Sequence, residues 1–444
     1  MHSPNGAALG AINAVYFFGA LCMVHWSALG ARRYGRKPGL YLGISLTVAS
    51  AVTQSAWRNR YIWIACRFLM GCASSLFSFN TPMLLSEFAL DEHRSLYTGL
   101  WNSFNYLGTM TGAWVVFGAR NMSNDWAWRI PVIFQIALPL LATPGLLLCP
   151  ESPRWLVAQH RQDDARIVLS NRRPETESTS SLVTGELHMI ETNLCHETAK
   201  GRPFYREMFH GSLNRRRVFI SITLAFFSQW TGNGVVTYYL SLILDRVGIE
   251  DAHIQTLLSG CLQVFNLIVA LGAFFFLKKM SPRTLSLVSA TIMFVSFGAI
   301  TGLSAKFEQS GNYFVGRAVL PCLFVFYLGY DIALTPLVPT FPSEIWPYQY
   351  RHFGMHLNIA TVLAFSLLNI FVSPIAFQAW GWKFYIVFLS VLVAFGACAY
   401  WVYPSMLSHG PEPVLEGVTV VVEKRRVRET ESGAVSQTVI SEPE

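Results

Sequence analysis

Amide side chains recur where this chain is otherwise apolar. Gln229 and Asn233 stand four apart, Asn266 sits midway through the next apolar run, Asn102 and Asn105 lie early in a much earlier one, and Asn369 lies in a later one. Residues four apart share one face of a helix, so Gln229 and Asn233 project together. An amide at membrane depth is costly unless a neighbour or a cavity satisfies it. Two uses fit these residues. They can bond one helix to another, or they can supply the neutral donors and acceptors that a polyhydroxyl ring needs beside an aromatic face. Trp230, Tyr238 and Tyr239 follow Gln229 closely enough to stack on such a ring or to gate it.

The ionisable residues in apolar surroundings are few. Arg67 lies near the start of an apolar run and requires a counter-charge unless its head reaches the interface. Asp331 lies inside another run and can carry a proton, accept a hydroxyl or pair with an arginine. Charges at the run ends repeat: Glu87 precedes Arg94 by seven residues, and Glu344 precedes Arg351 by seven. Such pairs can hold one face of a molecule shut and break in a second conformer, or they can be static surface pairs. The histidines lack metal-ligand spacing, the eight cysteines include no CxxC pair, and no Walker-type lysine motif appears. No cofactor, no metal and no ATP drive is expected.

Composition says what must position these residues. Of 444 residues, 52% are apolar and 13% charged, about half the ~25% of charged residues typical of soluble domains. Such a chain cannot cover a water-facing surface, whereas a bilayer accepts apolar side chains facing outward. Runs of roughly 20 apolar residues span a bilayer. Eleven lie near 7–29, 40–57, 61–85, 95–118, 128–148, 218–243, 254–277, 284–304, 318–341, 355–378 and 383–403. The first lacks a basic leader and is a span rather than a signal peptide.

The net charge of +7 is set out in patches between the runs, not along a basic face interleaved with aromatics, so nucleic acid is not an expected partner. Arg32–Lys37, Arg94, the stretch 150–217, Lys278–Arg283, Arg351 and Lys424–Arg428 fall on one set of alternate loops. The positive-inside rule puts that set in the cytoplasm, with the N-terminus outside and the C-terminus inside. Asn121-Met122-Ser123 is then a sequon in an outside loop.

Five runs precede the polar stretch 150–217 and six follow it. The expected organisation is an N-terminal bundle over 1–149, a cytoplasmic linker over 150–217 with short amphipathic helices near 160–170 and 183–196, a C-terminal bundle over 218–403, and a disordered tail over 404–444. The repeated charge pairs, and the basic patches after the first and seventh runs, suggest parallel repeats. Aligning them leaves the first repeat one span short at its start.

At several motifs the chain resembles the sugar porter family of the major facilitator superfamily, in particular its fungal lactose-permease-like branch. Pro150-Glu151-Ser152-Pro153-Arg154-Trp155-Leu156 is similar to the family's P-E-S-P-R-W-L. Gly30–Lys37 is similar to its basic loop G-x-D-R-x-G-R-[RK], with Arg32 in place of Asp. Arg67, Gly71 and Glu87, Trp128-Arg129-Ile130-Pro131, Ser228–Asn233 with Tyr238-Tyr239, and Gly381–Tyr385 match further family segments in order.

The resemblance implies an all-α membrane protein of major facilitator fold: two helical bundles with about eleven transmembrane helices where twelve are usual. It implies alternating-access transport of a mono- or disaccharide, with or without a proton, in a fungal plasma membrane. Gln229, Asn266 and Asn102 fall at positions that touch sugar, and Asn233 stands one residue from the commoner spacing. Trp230, Tyr238 and Asn369 complete the expected substrate-binding set. Pro336 falls where the tenth helix bends, but Leu337 replaces the usual Trp. Cytoplasmic gating pairs are expected from Glu87, Arg94, Glu344, Arg351, Arg33, Arg36, Glu151 and Arg154. Proton coupling is expected from Arg67, which in coupled members faces an Asp on the span lacking here, and from Asp331. Two other readings stay open: a sugar sensor that does not transport, and an inactive product lacking its first span.

Overall fold

The computed structural model describes residues 6–90, 94–122, 124–172, 177–199, 212–277, 280–346 and 351–403. Helices account for nearly all of them, and no strand occurs among the described residues. In chain order they are α1 (Gly6–Tyr34), α2 (Arg36–Ala56), α3 (Arg60–Phe88), α4 (Arg94–Ala119), α5 (Trp126–Phe134) and α6 (Ala137–Leu148). The short α7 (Pro153–Ala158), α8 (Gln162–Ser170) and α9 (Glu177–Ala199) occupy the polar stretch. Then come α10 (Ser212–Trp230), α11 (Asn233–Arg246), α12 (Ala252–Leu277), α13 (Pro282–Ser310), α14 (Tyr313–Arg317), α15 (Val319–Ile345), α16 (Arg351–Trp380), a 3₁₀ turn (Gly381–Phe384) and α17 (Tyr385–Trp401). Lys278 and Lys279, the tail from 404, and Ser123 of the sequon lie outside the described residues.

Among the described residues, seven stretches are long and apolar enough to cross a bilayer: Leu9–Tyr34, Arg60–Phe88, Trp126–Leu148, Ala252–Ala273, Pro282–Ser310, Tyr313–Pro342 and Phe353–Trp401, the last covering two helices. The chain is a multi-pass membrane protein. The spans outside that set, α2, α4 and the α10–α11 pair, are those rich in Ser, Thr, Asn and Gln.

Two expected spans are broken rods. The fifth separates into α5 and α6 at Gln135 and Ile136, whose N–H groups turn to Val132 and Ile133 (3.3 and 3.0 Å). Pro139 has no N–H for the Gln135 carbonyl, and its ring crowds that carbonyl. The sixth separates into α10 and α11 at Gly232, whose φ of 107° only glycine adopts without strain. A Cβ there would also press on the Phe297 ring at 2.9 Å.

Helices before and after the polar stretch meet along two seams, α1 on α16 and α4 on α12 and α15. Within the earlier group, α1 crosses α3 closely enough that a Cβ on Gly71 would overlap the Tyr16 carbonyl, and one on Gly19 the Phe68 carbonyl. Small residues permit such backbone approach where no water exists to drive helices together. The largest buried cluster lies in the later group, around Leu224, Phe297, Phe326, Tyr327 and Phe388.

Gly71→Ala is therefore expected to force α1 from α3 and cost about 1–3 kcal/mol or more of stability. Thermal unfolding of the purified chain checks it, with Gly302→Ala as control, because a Cβ at Gly302 meets nothing within 4 Å.

Candidate functional site

A proline in a helix strips the carbonyl four residues earlier of its donor. Pro339 frees Thr335, Pro342 frees Val338 and Pro374 frees Ile370. Each carbonyl accepts instead from a side chain of another helix. Asn102 Nδ2 on α4 donates to Thr335 O at 2.5 Å, Asn358 Nδ2 on α16 to Val338 O at 3.0 Å, and the Tyr239 hydroxyl on α11 to Ile370 O at 2.8 Å. Asn102 thus ties α4 to α15 across a seam.

The α10–α11 break gathers the other amides. Gln229 Oε1 accepts from the Ser366 hydroxyl at 2.8 Å, and its backbone carbonyl accepts from Asn369 Nδ2 at 3.1 Å. Gly234 leaves room for Asn369, whose Oδ1 would lie 2.6 Å from a Cβ there. Asn233 Oδ1 accepts from the Thr237 hydroxyl at 3.0 Å, which also bonds the Tyr327 hydroxyl at 2.8 Å. Gln229, Asn233 and Asn369 therefore lie together. Asn266 is fully buried in α12, with neither amide atom partnered. Trp230 stacks on Phe226 (6.0 Å, 14°), and its buried Nε1 has no partner. Tyr238 meets Phe17 of α1 edge-on at 5.8 Å, closing the other seam.

Asp331 is fully buried in α15. Its Oδ1 accepts from the Tyr106 hydroxyl of α4 at 2.6 Å and from the Thr335 hydroxyl at 2.7 Å, while Oδ2 has no partner. No arginine or lysine pairs with it among the described residues. Arg67 lies 5.1 Å from the Trp63 ring, its Nε buried and unpartnered, and no carboxylate pairs with it among the described residues.

The charged motifs cluster at the inner ends of α2, α3 and α6. Arg36 grips Glu87 through Nε–Oε2 (2.9 Å) and Nη2–Oε1 (2.6 Å), with both side chains under a tenth exposed. Glu151 accepts from the backbone N–H of Arg36 at 3.0 Å and of Lys37 at 3.2 Å, an anion on the first turn of α2. Gly35, at φ 98°, makes room: a Cβ there would sit 2.8 Å from Glu151 Oε2. Arg172 donates to the carbonyls of Glu87 and Phe88 (3.1 Å each), fastening α7–α9 to the end of α3. Glu87 and Glu151 are thus held within the first group of helices, not across a seam. Arg33 is exposed over the Tyr34 ring and Arg154 is buried. The side chains of Arg94, Glu344 and Arg351 lie outside the described residues.

A polar tier at the meeting of two groups of helices, with the motifs locked at one face, is matched by a family profile. The profile described as "Sugar (and other) transporter" covers residues 2–410. The chain belongs to that family. Among relatives in it, the sugar transporter STL1 of Saccharomyces cerevisiae is 26% identical over 411 residues, covering 91% of this chain and 71% of that protein. The galactose-proton symporter of Escherichia coli is 30% identical over 348 residues, covering 78% and 71%. In fold, the chain is similar to the proton:xylose symporter XylE bound to 6-bromo-6-deoxy-D-glucose, with a TM-score of 0.75, 19% identity and coverage of 89% and 86%. It is similar also to the inward-open XylE of E. coli, with a TM-score of 0.73, 19% identity and coverage of 94% and 89%. The fold is thus the all-α major facilitator fold.

Reading the sequence for polar residues in apolar runs overlooked Tyr106, Thr335 and Asn358. The prolines four residues after Thr335 and Val338 were the available signal: each marks a carbonyl in need of a donor. Arg172 carries no comparable signal, because its partners are backbone carbonyls far away in sequence.

Removing one partner of a buried ion pair strands the other charge, a loss of about 3–5 kcal/mol. Glu87→Ala is expected to lower the unfolding temperature sharply, and Arg36→Met with Glu87→Leu to restore most of it. Equal losses in the single and double variants would show that the pair is not what holds α2 to α3.

Proposed function

We propose that this chain carries a mono- or disaccharide across a membrane by alternating access, with the fungal plasma membrane as its site. Two bundles, 1–149 and 218–403, rock about the linker 150–217 and open the polar tier to one side at a time. The observation that carries the reading is the grouping of Gln229, Asn233 and Asn369 at a helix break; Asn266 of α12 adds a buried amide without a partner. Broken helices at mid-membrane with free polar groups are where transporters of this kind hold substrate. The relatives named for sugar transport support the substrate class.

Neutral amides suit hydroxyl groups, and Trp230 offers a face and a free donor to the ring. Nothing covalent happens, so no enzymatic chemistry is required. Asp331 takes up the proton: closed in the α4–α15 seam it has one bare oxygen, and opening the seam exposes it to water. Bonds across the seams are the parts that must break in each cycle, whereas the Arg36–Glu87 and Glu151 ties keep the first bundle rigid.

Labelled-sugar uptake into transporter-deficient yeast, run over a panel of mono- and disaccharides, should saturate for at least one sugar. Gln229→Ala should reduce it about tenfold or more, as expected for a half-buried amide that orients the ligand. Uptake no greater than with empty vector for every sugar rejects transport. Asp331→Asn should keep exchange of labelled sugar at equilibrium while losing proton-driven accumulation. Full accumulation in that variant removes Asp331 from the proton path.

A further inference from the structure

α13 and α17 stand at the edge of the fold. They pack on α10, α12, α14, α15, the 3₁₀ turn and each other, and their outward faces expose Val288, Phe294, Val295, Ile386 and Val393. Lipid is the natural neighbour of such faces. Where α13 ends, a cavity of about 260 Å³ opens among Ser304, Phe307, Glu308, Phe377, Trp382 and Tyr385.

Its lining is chemically mixed. Ser304, only 8% exposed, has a hydroxyl with no hydrogen-bond partner. Glu308, four residues on and so on the same helix face, is exposed and makes no ion pair among the described residues. Aromatic rings flank it. Lys383, next to Trp382, is also exposed and without an ion pair among the described residues. Aromatic faces attract ammonium groups, most strongly away from bulk water, and a lysine binds phosphate as a point charge. The cavity is smaller than the ~300–1,000 Å³ of sites that enclose drug-sized ligands. α13 begins within the basic segment Lys278–Arg283, so its far end meets the opposite interface, where tryptophan and tyrosine settle at headgroup depth.

We propose that this cavity seats the headgroup of a zwitterionic phospholipid from the leaflet opposite the basic loops. The ammonium lies between Glu308 and the rings, the phosphate toward Lys383, and the acyl chains run down the exposed faces of α13 and α17. Charge complementarity selects this occupant: a carboxylate without an ion pair among the described residues lines the cavity beside aromatic rings, and an exposed ammonium stands one residue beyond the lining Trp382. A purely anionic headgroup would meet Glu308 with like charge.

Native mass spectrometry of the purified full chain, gently delipidated and then titrated with phosphatidylcholine or phosphatidylglycerol, tests it. Phosphatidylcholine should be retained more tightly. Glu308→Gln should weaken its retention about fivefold, the scale of a cation–aromatic site losing its carboxylate, and should strengthen that of phosphatidylglycerol, whose like-charge repulsion is removed. Lys383→Gln should weaken phosphatidylcholine too, which a site for the ammonium alone would not show. Equal retention of both lipids by wild type, or no change in Glu308→Gln, overturns the proposal. So does displacement by millimolar choline as effective as by phosphatidylcholine, because the site is then one for a free amine. Sugar uptake plays no part in these readouts.

Discussion

A proline inside a bilayer-spanning helix removes a hydrogen-bond donor that no water replaces, and the carbonyl it leaves must be satisfied by protein. Three such carbonyls, those of Thr335, Val338 and Ile370, are met by Asn102, Asn358 and Tyr239 from three different helices. One physical demand therefore sets several features at once. It fixes which helices lie beside α15 and α16 and brings polar side chains to the level of the prolines. The break at Gly232 adds the Gln229 carbonyl, met by Asn369. A tier of amides oriented by their bonds to backbone follows from proline and glycine placement.

Magnitudes divide the molecule into parts that hold and parts that yield. A single side-chain hydrogen bond between membrane helices contributes roughly 0.6 kcal/mol on average. The bonds across the seams are of this kind: Asn102 to Thr335, Tyr106 to Asp331, and Thr109 to Gln263 at 3.1 Å. The inner end of the first group is held otherwise, by a two-point Arg36–Glu87 pair, by Glu151 on the start of α2, and by Lys37 Nζ on the Cys149 carbonyl at 2.6 Å. Breaking one partner there costs several times more. Rigid groups joined by weak, individually replaceable bonds are what a rocking motion requires.

Much of this was legible beforehand because the bilayer restricts the choices. Apolar runs of span length could be little but helices, and the amides within them were conspicuous against Leu, Phe and Val. The breaks were less visible. Pro131 and Pro139 lie in one run, and only the pairing of Pro139 with the Gln135 carbonyl singles out where it parts. Gly232 reads as one glycine among 32 until its positive φ is seen. The Arg36 partner of Glu87 was not legible in spacing, because the two are far apart in sequence and are brought close by the packing of α2 on α3. Tyr106 was overlooked because a tyrosine in an apolar run is unremarkable until a buried carboxylate faces it.

That carboxylate shows how a seam can be both closed and ready to open. Of the two hydroxyls on Asp331 Oδ1, Thr335 belongs to the same helix, four residues on, and stays with it whatever α15 does. Tyr106 belongs to α4 and leaves when the helices part. Opening the seam thus exchanges one phenol for water at Oδ1 and brings water to the bare Oδ2, while the Thr335 carbonyl exchanges Asn102 for water or for a ligand hydroxyl. Each exchange replaces one hydrogen bond by another, so its net free energy is about 1 kcal/mol rather than the several of an isolated bond. Two conformers separated by a few such exchanges lie within the few kcal/mol that a bound ligand can tip.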